Sequence, residues 1–512
     1  MPVGRRDAIY LCTAMAAFVA LWLGYPHQFN DSDPFWYSLR ADYFMHHGAF
    51  GHVFDGLPET FDFRLGVILP VALIYKMFGV TILTTHLYPL CAALALIAIV
   101  WVALPDVKAR LFGLAFCLTS VPLFDGAVDL YRDLIASAWL AASVALLDAR
   151  LANAVRAGSW PLFPVLAVGC VFGAFLAKES AYWVLPVWFY VFVRDMRSGE
   201  GGLLWRRFYL PVLMTGVVLG MFYLWFNAVV WGDPWAQLST IAAAFAKQRA
   251  HPDAWWTIYS GHSLLSRLTL EPALMLYRSF GPVLVFALLG FFVLPRALVV
   301  WGVYTASCLA LFWFGSTNLS HYDPLPLYPR YILPALPGLY IVAASFAARL
   351  DFAGARWPVV GCGLVAVLVL AITAVPYVRY VRGWSGIENG EAAAMQIVRA
   401  AVAAQPATAY VLVTADARSA AALAFYFSYA YPENLTVRPA AGIDAGVRFA
   451  ATRAFLYANE TRSAFLSSAY GEKVFNANFR KSGLQVLFEQ GGTVLYEAAT
   501  ADALRAIAPE RK

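Results

Sequence analysis

The sequence predicts an all-α polytopic membrane protein, with about eleven membrane-spanning helices, carrying a small α/β soluble domain at its C-terminus. Three observations lead there. Of the 512 residues, 61% are hydrophobic and only 13% charged, at a mean hydropathy of +0.63. A soluble domain carries roughly 25% charged residues, so much of this chain must be solvated by something other than water. Apolar runs of helix-spanning length recur up to residue 377, and from about Arg382 the composition turns soluble.

A bilayer core needs roughly 20 apolar residues in a helix, because every backbone polar group there must be satisfied internally. Runs that meet or approach this fall at 9–25, 82–104, 111–124, 134–147, 161–177, 181–193, 209–231, 274–294, 297–315, 331–348 and 359–377. The first follows Arg5 and Arg6, but no small-residue cleavage site follows Tyr25, so it reads as an uncleaved anchor. Residues 65–79 are apolar but short. Counting them as a span would move Lys108 and Arg110 to the face opposite Arg5 and Arg6, so they read as an interfacial or re-entrant helix.

With Arg5 and Arg6 inside, the loops 105–110, 148–159, 194–207, 295–296 and 349–356 are cytoplasmic, and each carries Lys or Arg. The segments 26–64, 125–133, 178–180, 232–272 and 316–330 then share the external face, and an odd number of spans sends the C-terminus there too. The division is residues 1–381 for the membrane part and 382–512 for the soluble part. In the latter, 410–414 and 494–497 read as strands and 392–404 and 419–431 as helices.

The net charge of +6 is modest for this length and fits cytoplasmic-loop basic residues, not a nucleic-acid footprint. The six cysteines lie in apolar runs without metal-ligand or disulfide spacing. There is no Walker A loop, no glycine-rich dinucleotide fingerprint and no His-Glu-x-x-His, so nucleotide or zinc-protease chemistry has no visible binding device.

The external segments hold the unusual chemistry. The first reads Asn30-Asp31-Ser32-Asp33-Pro34-Phe35-Trp36-Tyr37. Carboxylates at the end of a membrane helix are costly unless they meet water, a partner or a substrate; one of them can also cap the helix starting at Pro34. Asp125, Asp129 and Asp133 are spaced by four, so they can line one helical face, with Arg132 to offset them, or mark a solvated helix start. Lys178-Glu179 sits in a turn between apolar helices, where a local ion pair is the plain account. The run Ser320-His321-Tyr322-Asp323 leads to Arg330-Tyr331 at the head of a span. Arg330 can simply snorkel; its planar fork is also suited to a lipid phosphate.

The run Asp33-x3-Tyr37-x3-Ala41-x6-Gly48 resembles the first external loop of GT-C glycosyltransferases that use polyprenyl-phosphate sugars, in particular the protein O-mannosyltransferase-like and lipid A aminoarabinose transferase groups. Phe63-Arg64-Leu65-Gly66 through Met77-Phe78-Gly79 is similar to the family's juxtamembrane helix. Asp133 through Trp139 looks like its second external Asp heading a helix. Lys178-Glu179 through Pro186, and Arg330-Tyr331 through Pro334, resemble its later signatures. The resemblance spans about residues 5–348 and implies a GT-C-like fold, an inverting transfer at the external face and no metal or other cofactor. It implies a polyprenyl-phosphate sugar and the bilayer as partners, a lipid, glycan or protein as acceptor, and no nucleic acid. It makes Asp33, Asp31 and Asp133 the candidate catalytic carboxylates and Lys178, Arg330 and Arg64 the candidates for the donor phosphate. Tyr37, Asp129, Glu179, His321 and Tyr331 are further contact candidates. Asp31 competes with Asp33, and Asp125 and Asp129 with Asp133, for the aligned positions. The expected location is a bacterial inner membrane, N-terminus cytoplasmic and C-terminal domain periplasmic. A transporter or flippase of lipid-linked sugar and a membrane scaffold are the alternatives.

Overall fold

The computed structural model describes residues 5–25, 33–48, 50, 59–147, 162–198, 201–250, 264–316, 325, 327 and 329–350, then 394–395, 397–398, 400–405, 408, 410–414, 435–439, 453–459, 485–490 and 493–498. The first half of the chain gives α1 (Arg5–Leu23), α2 (Asp33–His47), α3 (Leu65–Phe78), α4 (Ile82–Ala103), α5 (Val107–Leu118), α6 (Val121–Val128), α7 (Arg132–Leu147) and α8 (Leu162–Ala177). A 3-10 turn, Glu179–Val184, leads into α9 (Leu185–Met196), and α10 runs over Gly201–Trp231 with a π turn at Trp205–Tyr209. Then come α11 (Ala236–Ala250), α12 (Leu264–Leu268), α13 (Leu270–Phe280), α14 (Pro282–Phe292) and α15 (Val299–Phe314). A second 3-10 turn, Pro329–Ala335, precedes α16 (Leu336–Ala347).

Five described helices are long and apolar enough to cross a membrane, or up to seven if each of two bent pairs counts as one span. The expected span at 359–377 lies outside the described residues. Two other expected spans are broken, for reasons the sequence contains. At 111–124 the chain leaves α5 at Thr119, and Ser120 caps α6 by accepting from the Leu123 amide at 3.0 Å. Pro122, in the first turn of α6, has no amide hydrogen with which to continue α5, and the two helices meet at 55°. At 274–294 the break is Gly281-Pro282, where Gly281 takes φ 52° and the helices turn by 110°. Glycine alone adopts that backbone freely. The external segment 232–272, expected to be a loop, contains α11, α12 and the start of α13.

The core is centred on α16, in which every residue but Phe346 is buried, whereas only half of α4 is. Along Leu210–Trp231 of α10 only Asn227 is buried, and Met214, Val218, Met221 and Trp225 face outward. A helix so apolar and so exposed is a surface for acyl chains. At one end of the bundle Arg110 holds Asp7 at 2.9 Å, and Arg349 donates to the Val293 carbonyl. These contacts join segments that the basic-residue pattern assigns to a common face.

The C-terminal part holds a five-stranded sheet in the order β2-β1-β3-β5-β4, with β1 (Tyr410–Thr414), β2 (Leu435–Pro439), β3 (Arg453–Asn459), β4 (Gln485–Gln490) and β5 (Thr493–Ala498). β1 pairs in parallel with β2 and β3, and the β3-β5 and β5-β4 pairs are antiparallel. Ala394, Met395, Val398 and Val402 cover Tyr410, Leu412 and Leu495. The expected strands at 410–414 and 494–497 are present, and the described residues of 392–404 are mainly helical. The expected helix at 419–431 lies outside the described residues, and β2, β3 and β4 were not anticipated. β3, Arg-Ala-Phe-Leu-Tyr-Ala-Asn, shows why: a short apolar run has no period that separates strand from helix.

Candidate active site

The sequence-predicted candidates converge on a charged centre built entirely from helix ends. α2 begins at Asp33, and the carboxylate accepts from Arg330 Nη1 at 2.9 Å across 297 residues of chain. Asp33 thus meets a cation from the last of the described membrane segments. Asp31 and His321 lie outside the described residues.

Arg64 is set by its own neighbourhood. Arg40 on α2 makes a buried ion pair with Asp62, and its guanidinium lies 5.6 Å from the Phe61 ring centroid. That fastens the segment before α3. Gly66, in the first turn of α3, then touches the end of α8 so closely that a Cβ would stand 2.6 Å from the Ala177 amide nitrogen. The close approach lets Arg64, itself only 2% exposed, pair with Glu179. Gly66→Ala is therefore expected to push α3 off α8, lowering stability by about 1–3 kcal/mol. Thermal unfolding in detergent checks this; an unchanged midpoint would mean the contact is slack.

Lys178 and Glu179 do not pair with each other. Lys178 is extended (φ −154°, ψ 133°), and the 3-10 turn starts at the next residue, so adjacent side chains diverge. Lys178 goes to Asp133, which is completely buried, and Glu179 goes to Arg64. The Lys178 Nζ also stands 3.8 Å from the Tyr331 ring centroid, and Arg330 lies 5.5 and 5.8 Å from those of Tyr131 and Tyr331. These are cation–π distances.

Asp125, Asp129 and Asp133 do not share a helical face. α6 ends at Val128, Asp129 is extended (φ −135°, ψ 150°), and a new helix starts at Arg132. Asp129 instead accepts from the Leu130 amide at 3.1 Å. The restart has a consequence that spacing arguments miss. Successive residues in the first turn of α7 point about 100° apart, so Asp133 turns to Lys178 while Arg132 turns to α2 and donates to the Tyr37 hydroxyl at 2.9 Å. Arg132 is the functional candidate that sequence reasoning passed over, weighing it only as a counter-charge for the aspartates.

The electrostatics follow from this geometry. Burial alone would raise the Asp33 carboxyl, but Arg330, then Arg132, Lys178 and Arg64, outweigh it and hold the group below its ordinary value. The Glu179 carboxyl is likewise brought down to about 2, its burial overcome by Arg64 and Arg132. Burial draws the Lys178 ammonium down to about 8 in spite of Asp133 beside it. Among the described residues Arg64, Lys178 and Arg330 each make an ion pair (with Glu179, Asp133 and Asp33), whereas Arg132 makes none and is held by the Tyr37 hydroxyl and the longer-range field of Asp33, Glu179 and Asp133. Asp33, Arg132, Glu179 and Arg330 are partly open, whereas Arg64, Asp133 and Lys178 are buried. The open groups can meet a ligand directly; the buried ones set the field beneath it. Among the described residues no three His, Cys, Asp or Glu side chains are grouped to hold a metal ion.

Solved structures show a similar fold. Crystal structures of ArnT from Cupriavidus metallidurans, in the apo state and bound to undecaprenyl phosphate, each align with 98% of this chain and 99% of their own. The identity is 14% and the TM-score 0.53 in both cases. In fold, this chain is similar to ArnT. The sequence resemblance to the aminoarabinose transferase group therefore holds at the level of fold, across the whole length of ArnT and not only over residues 5–348. No protein-family model and no curated protein matches the chain.

Proposed function

We propose that this chain is an integral membrane glycosyltransferase of the GT-C class, moving a sugar from a polyprenyl phosphate to a lipid, glycan or protein acceptor with inversion. The observation that carries the reading is Arg132, a partly buried cation that makes no ion pair among the described residues, beside the Asp33–Arg330 pair. Asp33, Glu179 and Asp133 act on Arg132 only from beyond ion-pair distance, and its guanidinium is partly open, so an incoming phosphate can give it a direct charge-assisted pair. The ArnT-like fold, known with undecaprenyl phosphate bound in ArnT itself, supports that choice of anion.

In this mechanism Arg330 and Arg132 take the donor phosphate, with Lys178 and Arg64 adding field from below. Stabilising charge on the leaving phosphate is usually the larger catalytic contribution. Asp33 is the general base on the acceptor hydroxyl, with Asp31 as the second candidate, and Asp133 supports the centre by fixing Lys178. When phosphate engages Arg330, the strongest influence lowering the Asp33 carboxyl is neutralised, and burial then makes it a better base. Donor binding thus arms the base. If the acceptor is itself a phosphate it needs no base, and Asp33 orients it instead.

The charges stand at helix ends, whereas transporters place theirs near mid-membrane, which favours transfer over transport. The site is assigned to the periplasmic face of a bacterial inner membrane, with the N-terminus cytoplasmic and residues 382–512 periplasmic. No cofactor is required.

Equilibrium binding of undecaprenyl phosphate to the purified protein tests the phosphate assignment. Arg132→Gln removes a charge-assisted hydrogen bond and is expected to weaken binding roughly 10- to 150-fold. Wild-type affinity is also expected to fall as pH rises above about 8, by up to about tenfold per unit. The sign follows from linkage: free Lys178 loses its proton there, so binding must take one up. The ligand's second ionisation, near 6, is already complete. An affinity unmoved by Arg132→Gln removes Arg132 from the phosphate site, and a flat profile to pH 9.5 removes Lys178.

A further inference from the structure

The α9–α10 hairpin carries a basic cluster that the proposed reaction does not use. α9 leaves the charged centre at the 3-10 turn Glu179–Val184, and its 12 residues carry the chain about 18 Å away. α10 starts at Gly201 and returns, and its last residue, Trp231, packs on Phe63 with ring centroids 5.0 Å apart. The hairpin therefore lies at the far end of the bundle from Arg64 and Glu179.

Four arginines fall within the 14 residues 194–207, against two acids, Asp195 and Glu200. Asp195 is buried and already engaged: Tyr209 donates to it at 3.0 Å and Arg194 pairs with it at 3.0 Å. That leaves Arg197, Arg206 and Arg207, all exposed and none in an ion pair among the described residues. Two of the three sit on the π turn, a rare geometry that is frequent at functional sites. The turn buries Phe208 and Tyr209 and leaves Trp205 41% exposed, flanked by exposed Leu203 and Leu210. Guanidinium forks, an indole of the kind that settles at headgroup depth, and exposed apolar side chains are thus gathered at the α9–α10 junction, where the Phe192 and Trp205 ring centroids stand 6.3 Å apart.

We propose that this surface binds the headgroup of an anionic phospholipid on the membrane face opposite the charged centre. The forks match a phosphodiester with two parallel hydrogen bonds each. Trp205 sits at the interface, and Leu203 and Leu210 meet the acyl chains. Basic side chains beside an anionic leaflet attract it by about fivefold in affinity apiece.

The full-length protein in detergent is titrated with phosphatidylglycerol or phosphatidylcholine, and retained lipid is counted by native mass spectrometry. The variant Arg197→Gln/Arg206→Gln/Arg207→Gln is expected to retain phosphatidylglycerol about 100-fold more weakly than wild type. Phosphatidylcholine retention should be unchanged. The matching triple substitution to Lys keeps the charge and is expected to stay within about tenfold of wild type, separating electrostatics from misfolding. Undecaprenyl phosphate is left out of these titrations, so the result does not depend on the transferase reading. Equal phosphatidylglycerol retention by wild type and the Gln variant overturns the proposal. So does wild type retaining phosphatidylcholine as well as phosphatidylglycerol, which would leave the arginines as topology signals only.

Discussion

Asp33→Asn should lower sugar transfer by roughly 10²–10⁴-fold, the usual contribution of a positioned general base, while leaving lipid-phosphate binding intact or tighter. The second half follows from the Asp33–Arg330 contact at 2.9 Å. In the empty site the carboxylate and an incoming phosphate compete for the same guanidinium, and the amide competes less. Transfer of radiolabel from polyprenyl-phosphate pentoses and hexoses to a crude acceptor extract reads the first effect, and undecaprenyl phosphate binding reads the second. Full transfer activity in Asp33→Asn would move the base elsewhere, Asp31 first. Lost transfer together with lost binding would mean Asp33 chiefly holds Arg330 in place. Tight donor binding without transfer by the wild-type protein, from any donor, would return the transporter reading.

Much of the fold was legible because the bilayer imposes a coarse rule. A run of apolar residues long enough to span leaves a signal that survives any packing detail, so 82–104 and 297–315 appear within a residue or so as Ile82–Ala103 and Arg296–Phe314. The breaks were less legible. Pro122 and Gly281-Pro282 are visible as letters, yet membrane helices tolerate such residues when neighbours re-satisfy the backbone, so only the observed bends of 55° and 110° decide between kink and break. The soluble strands β2, β3 and β4 were missed because five to seven residues carry too little periodicity.

The candidate site was legible as a list of residues but not as a set of pairs. Charge in a membrane chain is rare enough that Asp33, Asp133, Lys178, Glu179 and Arg330 stand out by position, whereas Arg64 is singled out only through the resemblance of Phe63-Arg64-Leu65-Gly66. Which cation meets which carboxylate depends on contacts between residues up to 297 apart, and local spacing pointed to the wrong ones. The Lys178-Glu179 neighbours diverge, and the four-residue spacing of Asp125, Asp129 and Asp133 is cut by the restart at Arg132. Arg132 was overlooked because its adjacency to Asp133 suggested mutual neutralisation, which the turn of the helix prevents.

Removing either half of the Lys178–Asp133 pair is the change expected to damage the protein most. Asp133 is wholly buried, its second oxygen has no hydrogen-bond partner, and Lys178 is its one ion-pair partner among the described residues, with Arg132 and Arg330 acting from further off. Lys178→Met strands that charge and should cost about 3–5 kcal/mol, seen as a lower unfolding midpoint in detergent. Asp133→Leu should do the same by stranding the ammonium. The double variant Lys178→Met/Asp133→Leu is expected to recover most of the loss, because replacing both members of a buried pair by apolar groups is often neutral or stabilising. It should nevertheless bind lipid phosphate with an affinity that no longer falls above about pH 8, since the group that titrates there is gone. Unchanged stability in Lys178→Met would mean Asp133 takes up a proton or water at no cost and the pair is not a structural necessity. A double variant that regains both stability and full transfer would show the pair to be packing alone. Recovered stability with weak transfer would instead separate holding α7 against α8, which leucine and methionine can do, from supplying the field under the phosphate, which they cannot.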